Sequence, residues 1–213
     1  MLAVVLLLVA AGVAVVDWWA VETERHDLER WAKPATMVLL VAVAATWGDV
    51  AGDVRAWLVV GAGFGVIGDV ALLGSGETSF MVGLSSFAAG HLAYAVASSL
   101  LGLDVAWMVP GAVVMAVLLG YRFVTRTVVG ARRGGGAVLA GAVVLYAVVI
   151  SAMVLTAWGT GLVVAGLGAT LFAVSDWVLG HRRFAGPLPG GRLAIMVPYH
   201  VGQALLIVGL ASG

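Results

Sequence analysis

Two aspartates stand among neighbours that are almost all apolar. Asp69 lies in "FGVIGDVALLGSG" and Asp176 in "FAVSDWVLGHRRF", about half the chain apart. A carboxylate in hydrocarbon is costly, and it usually faces the interior of a helix bundle or a cavity. Two buried carboxyl groups suit general acid–base chemistry, since burial and a neighbouring charge favour keeping a proton on one of them. We take Asp69 and Asp176 as candidate catalytic residues, one acid and one base, with neither role assigned.

The composition defines the environment of these aspartates. Of 213 residues, 62% are hydrophobic and 10% are charged, and the formal net charge is zero. Soluble domains carry about 25% charged residues, so the sequence predicts an all-α polytopic membrane protein with one domain, residues 1–213. The balanced charge predicts no nucleic-acid partner. The absence of cysteine excludes disulfides and thiolate catalysis.

Eight segments are predicted to span the membrane, since a crossing helix needs about 20 mostly apolar residues. The first is predicted to be a retained helix and not a signal peptide, because it lacks a basic start. The segment 122–136, which contains "RRGGG", is predicted to be a flexible basic connector. The predicted spans are 2–20, 34–47, 56–73, 80–101, 106–121, 137–157, 160–180 and 193–211.

The loop charges predict the orientation of this eight-helix bundle. All of the 11 Lys and Arg residues except Arg55 fall in loops on one side. The positive-inside rule places that side in the cytoplasm and both termini on the non-cytoplasmic side. Asp69 and Asp176 then lie at matched depth, about 6–7 Å inside the cytoplasmic boundary, at 1.5 Å per residue.

Matched depth on two parallel helices predicts that the aspartates share a site, and a parallel duplication of four helices would explain their spacing. The alternative is that each aspartate pairs with a lysine or arginine at the interface. Arg182 and Arg183 are near enough in sequence to serve Asp176 in this way.

Other polar side chains in the spans are candidates for lining a cavity. His91 is predicted near mid-membrane, with Tyr94 on the same helix face, and Tyr199 and Gln203 share a face of the last helix. Each could instead be a packing or interhelical contact. The candidate substrate-binding residues are Lys33, His91, Tyr94, Tyr146, Ser175, Arg182, Arg183, Tyr199 and Gln203.

Lys33 begins the second span, where a lysine is commonly an interfacial anchor. It is also placed to hold a phosphate. The motif "GFGVIG" (63–68) matches a dinucleotide fingerprint, but no strand precedes it, so its glycines are predicted to form a packing face. No metal or cofactor is predicted, although a site made by His91, His200 and the two aspartates remains an alternative.

Six segments spread over most of the chain form a set. They are "KPATMVLL" (33–40), "GDVALL" (68–73), "FMVGLSSFAAGHLAYAVA" (80–97), "LYAVVISAM" (145–153), "SDWVLGHRRF" (175–184) and "YHVGQALLIVG" (199–209). In this order they resemble the YhhN family, the bacterial relatives of the mammalian TMEM86 proteins. His200 departs from the family pattern, which often has another aromatic residue there. The resemblance implies an eight-helix membrane protein and a lysoplasmalogenase, which hydrolyses the vinyl-ether bond of a lysoplasmalogen. The products would be a fatty aldehyde and a glycerophospho-ethanolamine or -choline.

Vinyl-ether hydrolysis needs an acid that protonates a carbon and a base that receives a proton from water, which two aspartates can provide. The expected partners are a lysophospholipid substrate and membrane lipids. The expected location is the bacterial inner membrane, with the site toward the cytoplasmic leaflet. Two alternatives remain: a proton-coupled transporter or lipid flippase that uses the buried aspartates, or a hydrolase of another lipid class.

Overall fold

A computed structural model describes residues 1–120 and 122–213. These residues form eight α-helices, a short 3₁₀ turn at Val105–Trp107 and a π-helix at Phe123–Val128, and no strand occurs among them. The predicted all-α fold with eight helices is confirmed. The helices are α1 (Leu2–Glu22), α2 (His26–Thr46), α3 (Gly52–Leu72), α4 (Glu77–Leu100), α5 (Met108–Leu118), α6 (Val129–Gly159), α7 (Val163–Phe184) and α8 (Leu193–Leu210).

Six of these helices are long and apolar enough to cross a membrane. They are α1, α3, α4, α7, α8 and the continuous helix Phe123–Gly159, which joins the π-helix to α6. α5 has only 11 residues, and α2 begins with a charged stretch. The chain is an integral membrane protein.

The helices form a closed ring with two outliers. Around the ring, α2 packs on α3, α3 on α4, α4 on α6, α6 on α7, α7 on α8, and α8 on α2 again. α1 lies outside the ring against α2 and α8, and α5 lies outside it against α6 and α7. Each half of the chain, α1–α4 and α5–α8, therefore contributes one outer helix and three ring helices, the order that a four-helix duplication would give.

The tightest contacts join α3 to α4 and α7 to α8, and glycines make the second contact possible. A Cβ built on Gly168 would lie 2.3 Å from the backbone nitrogen of Leu206, and one built on Gly202 would lie 2.7 Å from that of Phe172. No side chain fits at either position, so α7 and α8 meet backbone to backbone. This contact fixes α7, which carries Asp176, against α8.

The predicted start of the second span was wrong. α2 begins at His26, and Pro34 lies inside the helix. Asp27 and Glu29 occupy the first turn, where acidic side chains interact favourably with the positive end of the helix dipole. Because α2 begins this early, Lys33 lies well inside the length of the helix and not in its first turn.

The prediction of a flexible connector at 122–136 was also wrong. Residues 122–134 are helical, and the helix breaks only at Gly135 and Gly136, where Gly136 has φ 71°. The segment is ordered because Ala131 packs with Phe80 and Leu139 in a small apolar cluster. Residue 121, the predicted end of the fifth span, lies outside the described residues.

Candidate active site

Asp69 lies on α3 in a buried ion pair. Lys33 Nζ is 3.4 Å from Asp69 Oδ1, and the two side chains are only 8% and 1% exposed. The hydroxyl of Tyr199 on α8 donates to Asp69 Oδ2 at 2.9 Å. The sequence predicted all three residues for the site, and the structure brings them together. The phosphate-binding role of Lys33 stays a prediction, because the partner of its ammonium here is Asp69.

Asp176 lies on α7 and has two different partners. The Tyr146 hydroxyl on α6 donates to Asp176 Oδ2 at 2.5 Å. His91 Nε2 on α4 is 3.1 Å from the same oxygen and 2.8 Å from the Tyr146 oxygen. His91 Nδ1 is buried without a partner in the described chain, so a neutral ring protonated on Nε2 leaves only a lone pair unsatisfied. Both contacts converge on Oδ2 of Asp176.

The two aspartate clusters have the same construction. Each aspartate is on the third helix of its half, and it takes one partner from the second helix of that half. The other partner comes from the fourth helix of the opposite half. The partners are Lys33 and Tyr199 for Asp69, and Tyr146 and His91 for Asp176.

Aromatic rings lie between the clusters. The Phe172 ring centroid is 4.6 Å from that of His91 and 5.3 Å from that of Tyr199, and Phe87 packs edge-on against Tyr199 at 5.7 Å. Among the described residues, no hydrogen bond joins the two carboxyl groups, although the charge of Asp176 acts on Asp69. Direct proton transfer between them stays a prediction.

A cavity of about 60 Å³ opens beside Asp176, between α4, α5, the π-helix, α6 and α7. Its wall is apolar except at Thr127, Tyr146, Asp176 and Trp177. Phe80 and Phe184 line the end near the basic loops, and the Arg183 guanidinium lies 5.1 Å above the Phe80 ring. Asp69 and its partners are not part of this wall. The cavity therefore presents one of the two aspartates to an apolar ligand.

The remaining predicted residues lie outside the cavity wall. The Tyr94 hydroxyl donates to Gln203 Oε1 at 2.7 Å in the buried centre of the ring. Ser175 Oγ donates to the carbonyl of Ile195 at 2.9 Å, which ties α7 to α8. Arg182 Nη1 donates to the carbonyl of Leu188 at 3.3 Å, within the α7–α8 connection.

The sequence analysis missed Asp17 on α1. Its side chain is fully buried, and neither carboxyl oxygen has a hydrogen-bond partner in the described part of the chain. The charges of Lys33 and Asp69 act on it, as do those of Glu29 and Arg192, which form an ion pair with each other. Asp17 gives the same signal as Asp69, a single carboxyl in an apolar run, but its place near the end of a span concealed it.

A second cavity, of about 80 Å³, lies between α1, α2 and α8 and is lined by Trp18, Thr36 and His200. Trp18 Nε1 donates to His200 Nδ1 at 3.1 Å. His200 belongs to this cavity and does not join His91. Within residues 1–120 and 122–213, no three His, Asp or Glu side chains are grouped to hold a metal ion.

Comparison with known proteins identifies the family of the chain. The sequence pattern of the YhhN family matches residues 28–210. The lysoplasmalogenase TMEM86A of Bos taurus is 31% identical over 156 residues, which is 70% of this chain and 62% of that protein. The chain thus spans less than two thirds of the length of this relative. No solved structure matches the chain. Because the family pattern covers most of the sequence, the chain belongs to the YhhN family.

Proposed function

We propose that the protein is a lysoplasmalogenase that hydrolyses the vinyl-ether bond of a lysophospholipid in the membrane. One observation carries the proposal: a carboxyl group, Asp176, stands on the wall of an apolar cavity beside the Tyr146 hydroxyl. A vinyl ether joins an apolar chain to a polar glycerol, so its hydrolysis calls for an acid at such a boundary. The similarity to a lysoplasmalogenase supports the same activity.

The cavity suggests how the substrate lies. The alkenyl carbons next to the ether lie against the apolar part of the cavity wall. The phosphate lies at the end of the cavity near the basic loops, where Arg183 is available for a charge-assisted contact. The excess of Lys and Arg in the loops at this end supports a location in a bacterial inner membrane with the site toward the cytoplasmic leaflet.

Asp176 is the general acid in this proposal. Its proton moves from Oδ1 to the vinyl carbon farther from the ether oxygen, and the double bond becomes an oxocarbenium ion. Water then adds to the carbon that bears the ether oxygen, and the Asp176 carboxylate accepts a proton from it. The hemiacetal collapses to the aldehyde, and the glycerol oxygen leaves as an alcohol. The hydrogen bonds from Tyr146 and His91 to Oδ2 orient the carboxyl group through both steps.

Asp69 supplies a fixed negative charge. Lys33 and Tyr199 hold its carboxylate beside Phe87 and Phe172, within electrostatic reach of Asp176. A preorganised charge in a low-dielectric site stabilises an ion of opposite sign that forms in the transition state. Asp69 therefore acts as the second carboxylate of the reaction and favours the oxocarbenium ion.

The test is aldehyde release from lysoplasmalogen by the full-length protein, purified in detergent. We expect turnover by the wild type and loss of most activity in Asp176→Asn, which keeps the shape of the side chain but cannot donate an acid proton. An ester lysophospholipid of the same chain length is the matched control, and we expect no fatty acid from it. Absence of aldehyde with the wild type, or full activity in Asp176→Asn, would contradict the proposal.

A further inference from the structure

The cavity wall contains two residues whose side-chain polar atoms the proposed mechanism does not use. Thr127 Oγ1 and Trp177 Nε1 are buried, and neither has a hydrogen-bond partner in the described residues. Both side chains line the same cavity as Asp176. A buried polar group without a partner costs about 1–3 kcal/mol, so two of them in one small cavity indicate a ligand that carries a polar group.

The backbone places these atoms between Asp176 and the basic end. Trp177 follows Asp176 on α7. Thr127 lies against Gly180, one turn farther along α7, because a Cβ built on Gly180 would be 3.5 Å from Thr127 Cγ2. One helical turn is about 5.4 Å, so both groups lie about one turn or less from the carboxyl on the side of the polar head.

Thr127 reaches this position because of an irregular helix. It belongs to the π-helix Phe123–Val128 that precedes α6. A π-helix has a wider turn than an α-helix, is rare, and occurs frequently at functional sites. This irregular segment places Thr127, which is 1% exposed, in the wall of the cavity.

We propose that Thr127 and Trp177 bind the free hydroxyl on the second glycerol carbon of the lysolipid. The inference rests on the proposed function. The Trp177 N–H donates to the hydroxyl oxygen, and the hydroxyl hydrogen is donated to Thr127 Oγ1. A lipid acylated at that carbon has no hydrogen to donate, and its ester group is larger than the hydroxyl that a cavity of about 60 Å³ would hold there. These two residues would make the site selective for lysolipids.

The experiment compares two substrates on four proteins: lysoplasmalogen and its 2-deoxy analogue, which lacks only the hydroxyl. For the wild type we expect kcat/KM to be about 10- to 100-fold lower on the analogue. Thr127→Val and Trp177→Phe should each lose about tenfold on lysoplasmalogen and nearly nothing on the analogue. The preference for the hydroxyl would then shrink in both variants.

Thr156→Val is the matched control, because it also removes a threonine hydroxyl, here one on α6 that bonds to the backbone of its own helix outside the cavity. It should keep the wild-type preference. Equal activity of the wild type on both substrates would overturn the inference and leave the proposed function intact. An equal loss on both substrates in Thr127→Val and Trp177→Phe would assign them a structural role. No aldehyde from either substrate with the wild type would overturn the proposed function as well.

Discussion

The two aspartate clusters share one plan but differ in both partner residues, and the partner from the fourth helix is Tyr199 for Asp69 and His91 for Asp176. In both, the partner from the second helix of the half contacts the carboxyl group, but it is Lys33 beside Asp69 and Tyr146 beside Asp176. A lysine gives Asp69 a counter-charge at 3.4 Å, which favours its carboxylate form. A tyrosine gives Asp176 only a hydrogen bond and no counter-charge.

The two aspartate side chains also differ in their exposure. Asp69 is sealed, whereas the Asp176 side chain is 10% exposed and lines a cavity. The two sites thus differ both in counter-charge and in access to the cavity: Asp69 is paired with a lysine and sealed, and Asp176 lines the cavity.

The largest expected effect is on kcat, and it tests the difference between the two aspartates directly. Asp176→Asn should lower kcat about 1,000-fold, because it removes the general acid. Asp69→Asn should lower kcat only about 10- to 100-fold, because it removes a charge that acts at a distance. Both are measured as aldehyde release under saturating lysoplasmalogen. Equal losses in the two variants would show that the aspartates act as one proton-sharing pair.

The second effect is on stability at the ion pair. Lys33→Met leaves Asp69 as an unpaired buried charge and should cost about 3 kcal/mol of unfolding free energy. The double variant Lys33→Met/Asp69→Asn should recover part of this loss, because no charge is then left without a partner. Unfolding in detergent, followed by circular dichroism, measures both. A double variant as unstable as the sum of the single changes would argue against the ion pair.

A matched pair of tyrosine substitutions gives a smaller effect. Tyr146→Phe and Tyr199→Phe each remove one hydroxyl that donates to an aspartate, and each should cost about 1 kcal/mol of stability. Only Tyr146→Phe should also lower kcat about tenfold, since its aspartate is the one that reacts. The comparison fails if Tyr199→Phe lowers kcat as much as Tyr146→Phe does.

The smallest effect is expected at Asp17, which has no counterpart in the Asp176 cluster. Asp17→Asn removes a buried carboxyl group without a hydrogen-bond partner, so the variant should be as stable as the wild type or more stable by up to about 1 kcal/mol. Lys33 keeps Asp69 as its partner, and activity should change less than about threefold. Clear destabilisation would instead identify Asp17 as a second counter-charge of Lys33.

The sequence predicts the presence of the helices better than it predicts which side chains meet. Hydropathy and loop charges locate the helices, and the rise per residue puts Asp69 and Asp176 at one level. Which side chains meet depends on how each helix is rotated about its axis, and glycine contacts such as that of Gly168 with α8 set this rotation. For this reason Lys33 was predicted at the membrane surface, whereas it pairs with Asp69 inside the ring.

The errors in the helix bounds have a related cause. Glycines and arginines after the fifth span suggested a loop, but neighbouring helices supply an apolar surface that keeps the segment helical as far as Gly135. No pattern in the sequence signals the π-helix that carries Thr127, since its geometry differs from an α-helix by one backbone hydrogen-bond step. Asp17 was detectable by the criterion applied to Asp69 and was missed at the end of its helix.

The cavity beside Asp176 is much smaller than a long-chain alkenyl tail. About 60 Å³ accommodates a few water-sized groups and therefore only the first carbons beyond the ether. In the proposed reaction most of the tail would therefore remain among the bilayer lipids, and the substrate would not be extracted. The proposed activity should then tolerate tails of many lengths, and the physical state of the surrounding bilayer should control how often the ether reaches Asp176.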